Sequence, residues 1–130
     1  MRNIDTKQIT ETVAKMCVEA NLTLSPDMKE AFTKAKTKEE SELGKKIFSQ
    51  LEENLEIAEA EEIPICQDTG MAVVFVEIGQ DVSLQGVNIT DAINEGVRQG
   101  YVDGYLRKSV VSDPIERINT KDNTPAVIFT

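Results

Sequence analysis

The spacing of apolar residues along this chain changes near residue 63, and that change predicts its architecture. Before it, apolar positions recur at intervals of three and four, which places them on one face of a helix. Asp5 to about Ala20 is expected to form a first helix, with Ile9, Val13, Met16, Cys17 and Ala20 on one stripe. Ser25-Pro26 offers an N-cap followed by proline at the first helical position. A short helix carrying Met28, Ala31, Phe32 and Ala35 should follow. Thr37-Lys38-Glu39-Glu40 has the spacing of a capping box, with Thr37 as cap. It is expected to open a longer helix through Leu43, Ile47, Phe48, Leu51, Leu55 and Ala58. Pro64 lacks an amide hydrogen and disfavours helix at Ile63, so this helix should end before there. The three helices are expected to pack as a small antiparallel bundle.

After residue 63 the pattern is that of strands separated by one helix. Met71 to Ile78 is β-branched and aromatic with both faces apolar, which predicts a central strand. Gly79-Gln80-Asp81 predicts a turn, and Val82 to Val87 a weaker strand or loop. From Ile89 or Thr90 a helix is expected, with Ile93, Val97 and Tyr101 on one side. Gly96, Gly100 and Gly104 also fall four residues apart. Glycine costs about 1 kcal/mol in a helix interior. Either the helix ends at Gly100 or the glycines form a flat ridge for a close neighbour; the regular spacing favours the ridge. Thr124-Pro125 leads into a strand from Ala126 to Thr130 that breaks off as it begins. The fold class is therefore α/β of mixed type. A single domain over residues 1–130 is expected, with an N-terminal helical bundle and then a small mixed sheet flanked by helices, incomplete at its C-terminal edge.

Composition narrows the function classes. With 130 residues, 40% of them hydrophobic, the chain can bury one core. No apolar run approaches the roughly 20 residues of a membrane helix, and Met1-Arg2-Asn3-Ile4-Asp5 lacks the apolar core of a secretory signal. A cytoplasmic protein without a membrane partner is expected. The net charge of −9 repels phosphate backbones, which argues against nucleic-acid binding. It does not argue against a small anionic ligand, because a local pair of arginines can override a global field. Six glutamates and no base lie between residues 52 and 62, as on a solvated helix face. The absence of histidine removes Ser-His-Asp and Cys-His catalysis within this chain.

Two places carry residue types that burial alone does not require. In Ile63-Pro64-Ile65-Cys66-Gln67-Asp68-Thr69-Gly70 a thiol is followed at once by an amide, a carboxylate and a glycine turn. A thiolate is a soft metal ligand and a nucleophile, and Asp68 can accept a proton or orient a hydroxyl. Cys17, on the first helix stripe, reads instead as a buried structural thiol. The second place is Arg107, whose guanidinium can clamp a carboxylate through two parallel hydrogen bonds. Read locally, Cys66 could equally be an inert loop thiol and Arg107 a surface ion pair.

Taken together, Pro64-Ile65-Cys66-Gln67-Asp68-Thr69-Gly70, Gly96-Val97-Arg98-Gln99-Gly100-Tyr101 and Tyr105-Leu106-Arg107-Lys108-Ser109-Val110-Val111-Ser112-Asp113-Pro114 resemble the N-terminal part of the α subunit of class I fumarate hydratases and L-tartrate dehydratases. The resemblance covers nearly the whole chain and is weakest in the first helices. It implies a [4Fe-4S] cluster held by three cysteines, with Cys66 as the first metal ligand. Gln67, Asp68 and Arg107 would bind a small dicarboxylate, with Asp68 also catalytic. The implied reaction is reversible loss of water from a 2-hydroxy dicarboxylic acid, (S)-malate to fumarate first and L-tartrate second. The other two cysteines, a histidine and further basic residues would come from a later region or a β subunit, in an enzyme expected to be a homo-oligomer. The 130-residue piece alone is expected to hold no intact cluster and to be inactive. An alternative from another class is a non-catalytic interaction domain that binds a partner through an open sheet edge.

Overall fold

A computed structural model describes all 130 residues. The chain forms four helices and four short strands: β1 (Arg2–Asp5), α1 (Thr6–Leu22), α2 (Pro26–Lys38), α3 (Glu42–Glu61), β2 (Val73–Phe75), β3 (Val82–Gln85), α4 (Ile89–Asp103) and β4 (Val127–Phe129). The α/β class expected from the sequence holds. Two compact units can be distinguished, one of residues 1–18 with 67–130, the other of residues 19–66.

The first unit is built on two parallel βα segments. β1 pairs with β3 in parallel, Arg2 opposite Val82 and Asp5 opposite Gln85. Each strand feeds a helix. At the start of α1, the Asp5 carboxylate accepts from the Lys7 N–H at 2.9 Å. At the start of α4, the Asn88 carboxamide oxygen accepts from the Thr90 N–H at 2.8 Å. These side chains satisfy amides that the first helical turn leaves without a partner. The helices meet along the glycine ridge. A Cβ on Gly96 would lie 2.6 Å from the Thr10 carbonyl, and one on Gly100 would lie 2.7 Å from the Ala14 carbonyl. The Thr10 hydroxyl donates to the Ala92 carbonyl at 2.9 Å, which ties the helices where they are closest. The ridge reading therefore holds for Gly96 and Gly100, and a Cβ on Gly104, the C-cap of α4, would likewise lie 2.7 Å from the Val18 side chain of α1.

Val13, Ile93, Val97, Tyr101 and Leu106 form the core, with Ile9 and Cys17 packed against it. Burial pushes the Cys17 thiol above its ordinary value, as expected for a structural cysteine. Met16 and Ala20, placed on the same stripe by periodicity, are exposed. β2 pairs only with β4, in parallel, Val73 opposite Val127 and Phe75 opposite Phe129. Their inner positions, Ala72, Val74, Val76, Ala126 and Ile128, face the core. Val73, Phe75, Val127 and Phe129 are exposed on the other side, with the two phenyl rings stacked 5.1 Å apart. The central strand expected over 71–78 is thus a three-residue strand with one neighbour, and the strands form two parallel pairs.

The second unit is an antiparallel helix hairpin. Lys29 reaches Glu59 and Lys36 reaches Glu52, so α2 and α3 run in opposite directions. Phe32 meets Phe48 edge to face at 5.9 Å. The expected cap of α3 is corrected by the structure. The cap of α3 is Ser41, whose hydroxyl accepts from the Gly44 N–H. Thr37 lies in the last turn of α2 and donates to the Thr33 carbonyl, because α2 runs on to Lys38 and leaves no room for a cap at residue 37. In this unit the helical bundle is represented by the α2–α3 pair; in the first unit the apolar face of α1 up to Val18 packs on α4. At the far end α3 stops as Pro64 requires. Glu62 turns left-handed, and the Ile63 N–H returns to the Ala58 carbonyl at 3.1 Å.

Candidate functional site

The Cys66 segment is held at both sides. Within the second unit, the Ile65 N–H donates to the Asn21 carbonyl at 2.8 Å, and the Asn54 amide donates to the Ile65 carbonyl at 2.9 Å. Ile65 is thereby fixed by backbone and side-chain bonds, and Cys66 follows it with an exposed side chain. The two thiols form no disulfide.

Within the first unit, Gln67 and Asp68 are exposed, and a tight turn follows. The Gly70 N–H donates to the Asp68 carboxylate at 3.3 Å, and Gly70 itself is left-handed at φ +61°. An Asx-type turn of this kind fixes the aspartate relative to its own backbone. The buried Tyr101 of α4 donates its hydroxyl to the Thr69 carbonyl at 3.0 Å. The loop is thus anchored to the core helix from below.

Arg107 is positioned by what precedes and follows it. After α4, Tyr105 is left-handed and Leu106 turns back into the core, 1% exposed. In an extended segment successive side chains point to opposite sides, so Arg107 and Ser109 are exposed while Leu106 and Val110 are buried. A returning loop braces this segment through an isolated antiparallel bridge between Val111 and Asn119. The Thr120 N–H donates to the Val110 carbonyl at 3.0 Å, and the Asn119 amide donates to the Lys108 carbonyl at 2.8 Å. The intervening turn is built on Asp113, which accepts from the Ile115 and Glu116 N–H groups. Those amides, Glu116 first, hold its carboxyl below the usual carboxylate range.

The structure brings these two stretches together. The Thr69 hydroxyl donates to the Arg107 carbonyl at 2.9 Å. A second link comes from Asn123, which is fully buried and left-handed at φ 64°. Its amide donates to the Gly70 carbonyl at 3.0 Å. Its carboxamide oxygen accepts from the Ser109 N–H at 2.7 Å and from the Val110 N–H at 3.0 Å. Neither Asn123 nor the Tyr101 hydroxyl stands out in the sequence as a site residue. The available signal was modest: Asn tolerates the left-handed region better than most residues, and Asn123 sits in a polar turn before Thr124-Pro125.

Elsewhere in the first unit, Asp91, Asn94, Glu95, Arg98, Asp122 and Thr124 line an open depression of about 240 Å³. Two of its charges, Glu95 and Arg98, pair with each other along α4. Arg98 and then Gln99 donate to Glu95 and hold its carboxyl down to about 2.

A family model described as "Fumarate hydratase (Fumerase)" matches residues 10–130. The chain belongs to the fumarate hydratase family. It is 38% identical to a "Putative L(+)-tartrate dehydratase subunit alpha" of Methanocaldococcus jannaschii over 117 residues, 89% of this chain and 41% of that protein. It is 28% identical to a "Putative fumarate hydratase class I" of Geobacillus stearothermophilus, over 90% of this chain and 22% of that protein. The "L(+)-tartrate dehydratase subunit alpha" of Escherichia coli K12 is also 28% identical, over 90% of this chain and 38% of that protein. The chain therefore spans less than half the length of these curated relatives. Membership accounts for why the match runs through both stretches described above. In this fumarate hydratase family member, no three His, Cys, Asp or Glu side chains are grouped so as to hold a metal ion. What the chain offers a cluster is a single exposed thiol, Cys66, a soft donor suited to iron-sulfur ligation. Cys17 is half-buried against the core and is not suited to that role. No helix is long and apolar enough to cross a membrane.

Proposed function

We propose that residues 1–130 form the N-terminal part of a hydro-lyase α subunit that binds a 2-hydroxy dicarboxylate and supports reversible loss of water. The observation that carries this reading is the Thr69–Arg107 hydrogen bond, which ties an aspartate-bearing turn to an arginine-bearing segment. A dianionic substrate needs at least one fixed cation for a carboxylate and one acceptor for its hydroxyl. Arg107 supplies the first through its fork of N–H donors. Asp68 supplies the second: its carboxylate accepts a hydrogen bond from the substrate hydroxyl, and its Asx turn limits its freedom. Gln67, with one donor and one acceptor group, complements either end.

Cys66 would be one thiolate ligand of a [4Fe-4S] cluster, the remaining ligands coming from a later region or a β subunit. When bound, the cluster supplies a Lewis acid for the departing hydroxyl. In this reading the isolated chain is inactive, and the assembled enzyme is a cytoplasmic homo-oligomer. (S)-Malate to fumarate is the first substrate pair. L-Tartrate is the second reading, favoured by the 38% identity to a chain named for tartrate.

The test uses the chain assembled with the partner regions found in its relatives and purified without oxygen. The wild type should hold cluster iron and turn over (S)-malate or L-tartrate, and Cys66→Ser should lose both. Full iron content with unchanged turnover in Cys66→Ser would refute the ligand assignment. Wild-type enzyme loaded with iron but inactive on both acids would refute the hydro-lyase reading.

A further inference from the structure

Asn123 touches neither Cys66 nor any side chain proposed to meet substrate, yet its carboxamide joins the two stretches that carry those side chains. We propose that Asn123 is a positioning residue: it sets the separation between the Gln67-Asp68 turn and the Arg107 segment. In its functional part this rests on the dicarboxylate reading given above.

Three observations support it. First, the geometry is two-sided. The Asn123 amide donates to the Gly70 carbonyl, two residues after Asp68. Its oxygen accepts from the Ser109 and Val110 N–H groups, two and three residues after Arg107. A carboxamide holds donor and acceptor about 2.3 Å apart on one rigid plane, so binding both sides at once fixes their spacing. Second, the residue is fully buried. The Asn123 carboxamide itself cannot exchange these bonds for bonds to water without opening the fold around it, so losing either partner leaves a buried polar group unpaired. Third, the clasp is itself held in place. The neighbouring Asp122 carboxylate accepts from the Thr124 N–H at 3.0 Å and from the Thr124 hydroxyl at 2.8 Å, which fixes the turn that presents Asn123. The left-handed backbone at residue 123 also suits asparagine better than glutamine, leucine or a β-branched residue.

The chemical consequence is specific. A dianion clamped at one end by a guanidinium reports small errors in distance strongly, since displacement of about 1 Å can cost roughly 100-fold in rate. Asn123→Ala removes the clasp from both sides. Asn123→Asp keeps an oxygen for the Ser109 and Val110 amides, removes the donor to Gly70, and is close to isosteric. It therefore separates loss of the turn contact from loss of the whole residue.

The experiment is a double-mutant cycle with Arg107→Ala in the assembled enzyme, read as KM and kcat for (S)-malate and L-tartrate, together with amide exchange at Gly70, Ser109 and Val110. Asn123→Ala is expected to lower kcat/KM by about 10- to 100-fold, mainly through KM. Combined with Arg107→Ala, it should add less than about twofold, because it acts through that arginine. Asn123→Asp should fold and leave Ser109 and Val110 protected. It should lose part of the activity and recover it toward acid pH, where a protonated carboxyl can again donate to Gly70. Fully multiplicative losses in the double mutant would overturn the positioning role. A wild type with no turnover of either acid would overturn the dicarboxylate reading instead. The clasp would then be judged by exchange alone: faster exchange of Ser109 and Val110 by at least about tenfold in Asn123→Ala, with α4 unchanged, upholds it, and unchanged exchange overturns it.

Discussion

Two helix pairs in this chain carry apolar stripes of the same periodicity and use them differently. α1 and α4 meet across Gly96 and Gly100, and the stripe between them is buried: Val13 is 8% exposed, Ile93 1% and Val97 0%. α2 and α3 form a hairpin through Phe32, Phe48 and ion pairs, and leave Leu43, Ile47 and Leu51 exposed. The difference lies in how closely the backbones can come. Without a Cβ at the contact, α4 lets the α1 backbone approach and close the space that larger side chains would hold open. The α2–α3 pair has no such ridge, and a two-helix hairpin cannot cover all sides of its own stripe. The clasped loops that carry Asp68 and Arg107 rest on the first pair, through Tyr101 and Leu106. The closely packed pair is therefore the scaffold of the candidate site.

The comparison can be broken by truncating matched stripe residues. Ile93→Ala empties a fully packed position and should cost about 2–5 kcal/mol, read as a lower midpoint of urea unfolding. Ile47→Ala, 47% exposed in the hairpin, should stay within about 0.5 kcal/mol. Equal losses at the two positions would contradict the contrast. The ridge is tested next. Gly100→Ala gains about 1 kcal/mol of helix propensity. It also places a methyl group 2.7 Å from the Ala14 carbonyl and 2.8 Å from the Cys17 Cβ. The overlap should prevail, with a net loss of about 1–3 kcal/mol; a stabilised variant would mean the helices are not held close.

Much of this scaffold was legible in the sequence, for physical reasons that can be named. Periodicity and local turn chemistry identified α1, the start of α4 at Ile89, the end of α3 before Pro64 and the glycine ridge. All of these depend on neighbours in sequence. What was hidden depends on distant partners. Arg2-Asn3-Ile4-Asp5 has no strand-like alternation and becomes β1 only because Val82–Gln85 lies beside it. The cap of α3 moved from Thr37 to Ser41 because both fit a local rule, and the extent of α2 decided between them. The residues singled out as Cys66, Gln67, Asp68 and Arg107 were visible from their types. The Asn123 clasp was not, since its bonds span 13, 14 and 53 residues of chain.

The smallest effect concerns charge on the exposed side of α4. The Glu95 carboxyl is held down to about 2 by Arg98 and Gln99. A depressed folded-state value stabilises the fold above the unfolded carboxylate range, and that contribution is lost as pH falls through the folded value. Between roughly pH 4.5 and pH 2, wild type should therefore lose a little stability that Glu95→Gln does not. The pair is nearly half exposed, so the loss should be at most about 0.5 kcal/mol and should shrink with added salt. A difference that persists at high salt would place Glu95 in a less solvated setting than the helix surface.

The central claim is that the Arg107 segment and the Asp68 turn form one dicarboxylate site. It is tested most directly by the steady-state kinetics of Arg107→Ala in the assembled enzyme, with (S)-malate and L-tartrate as substrates. Loss of a charge-assisted clamp on a carboxylate, about 1.5–3 kcal/mol, should raise KM by roughly 10- to 150-fold with the fold and iron content intact. An unchanged KM for both acids in a folded, iron-loaded enzyme would contradict it.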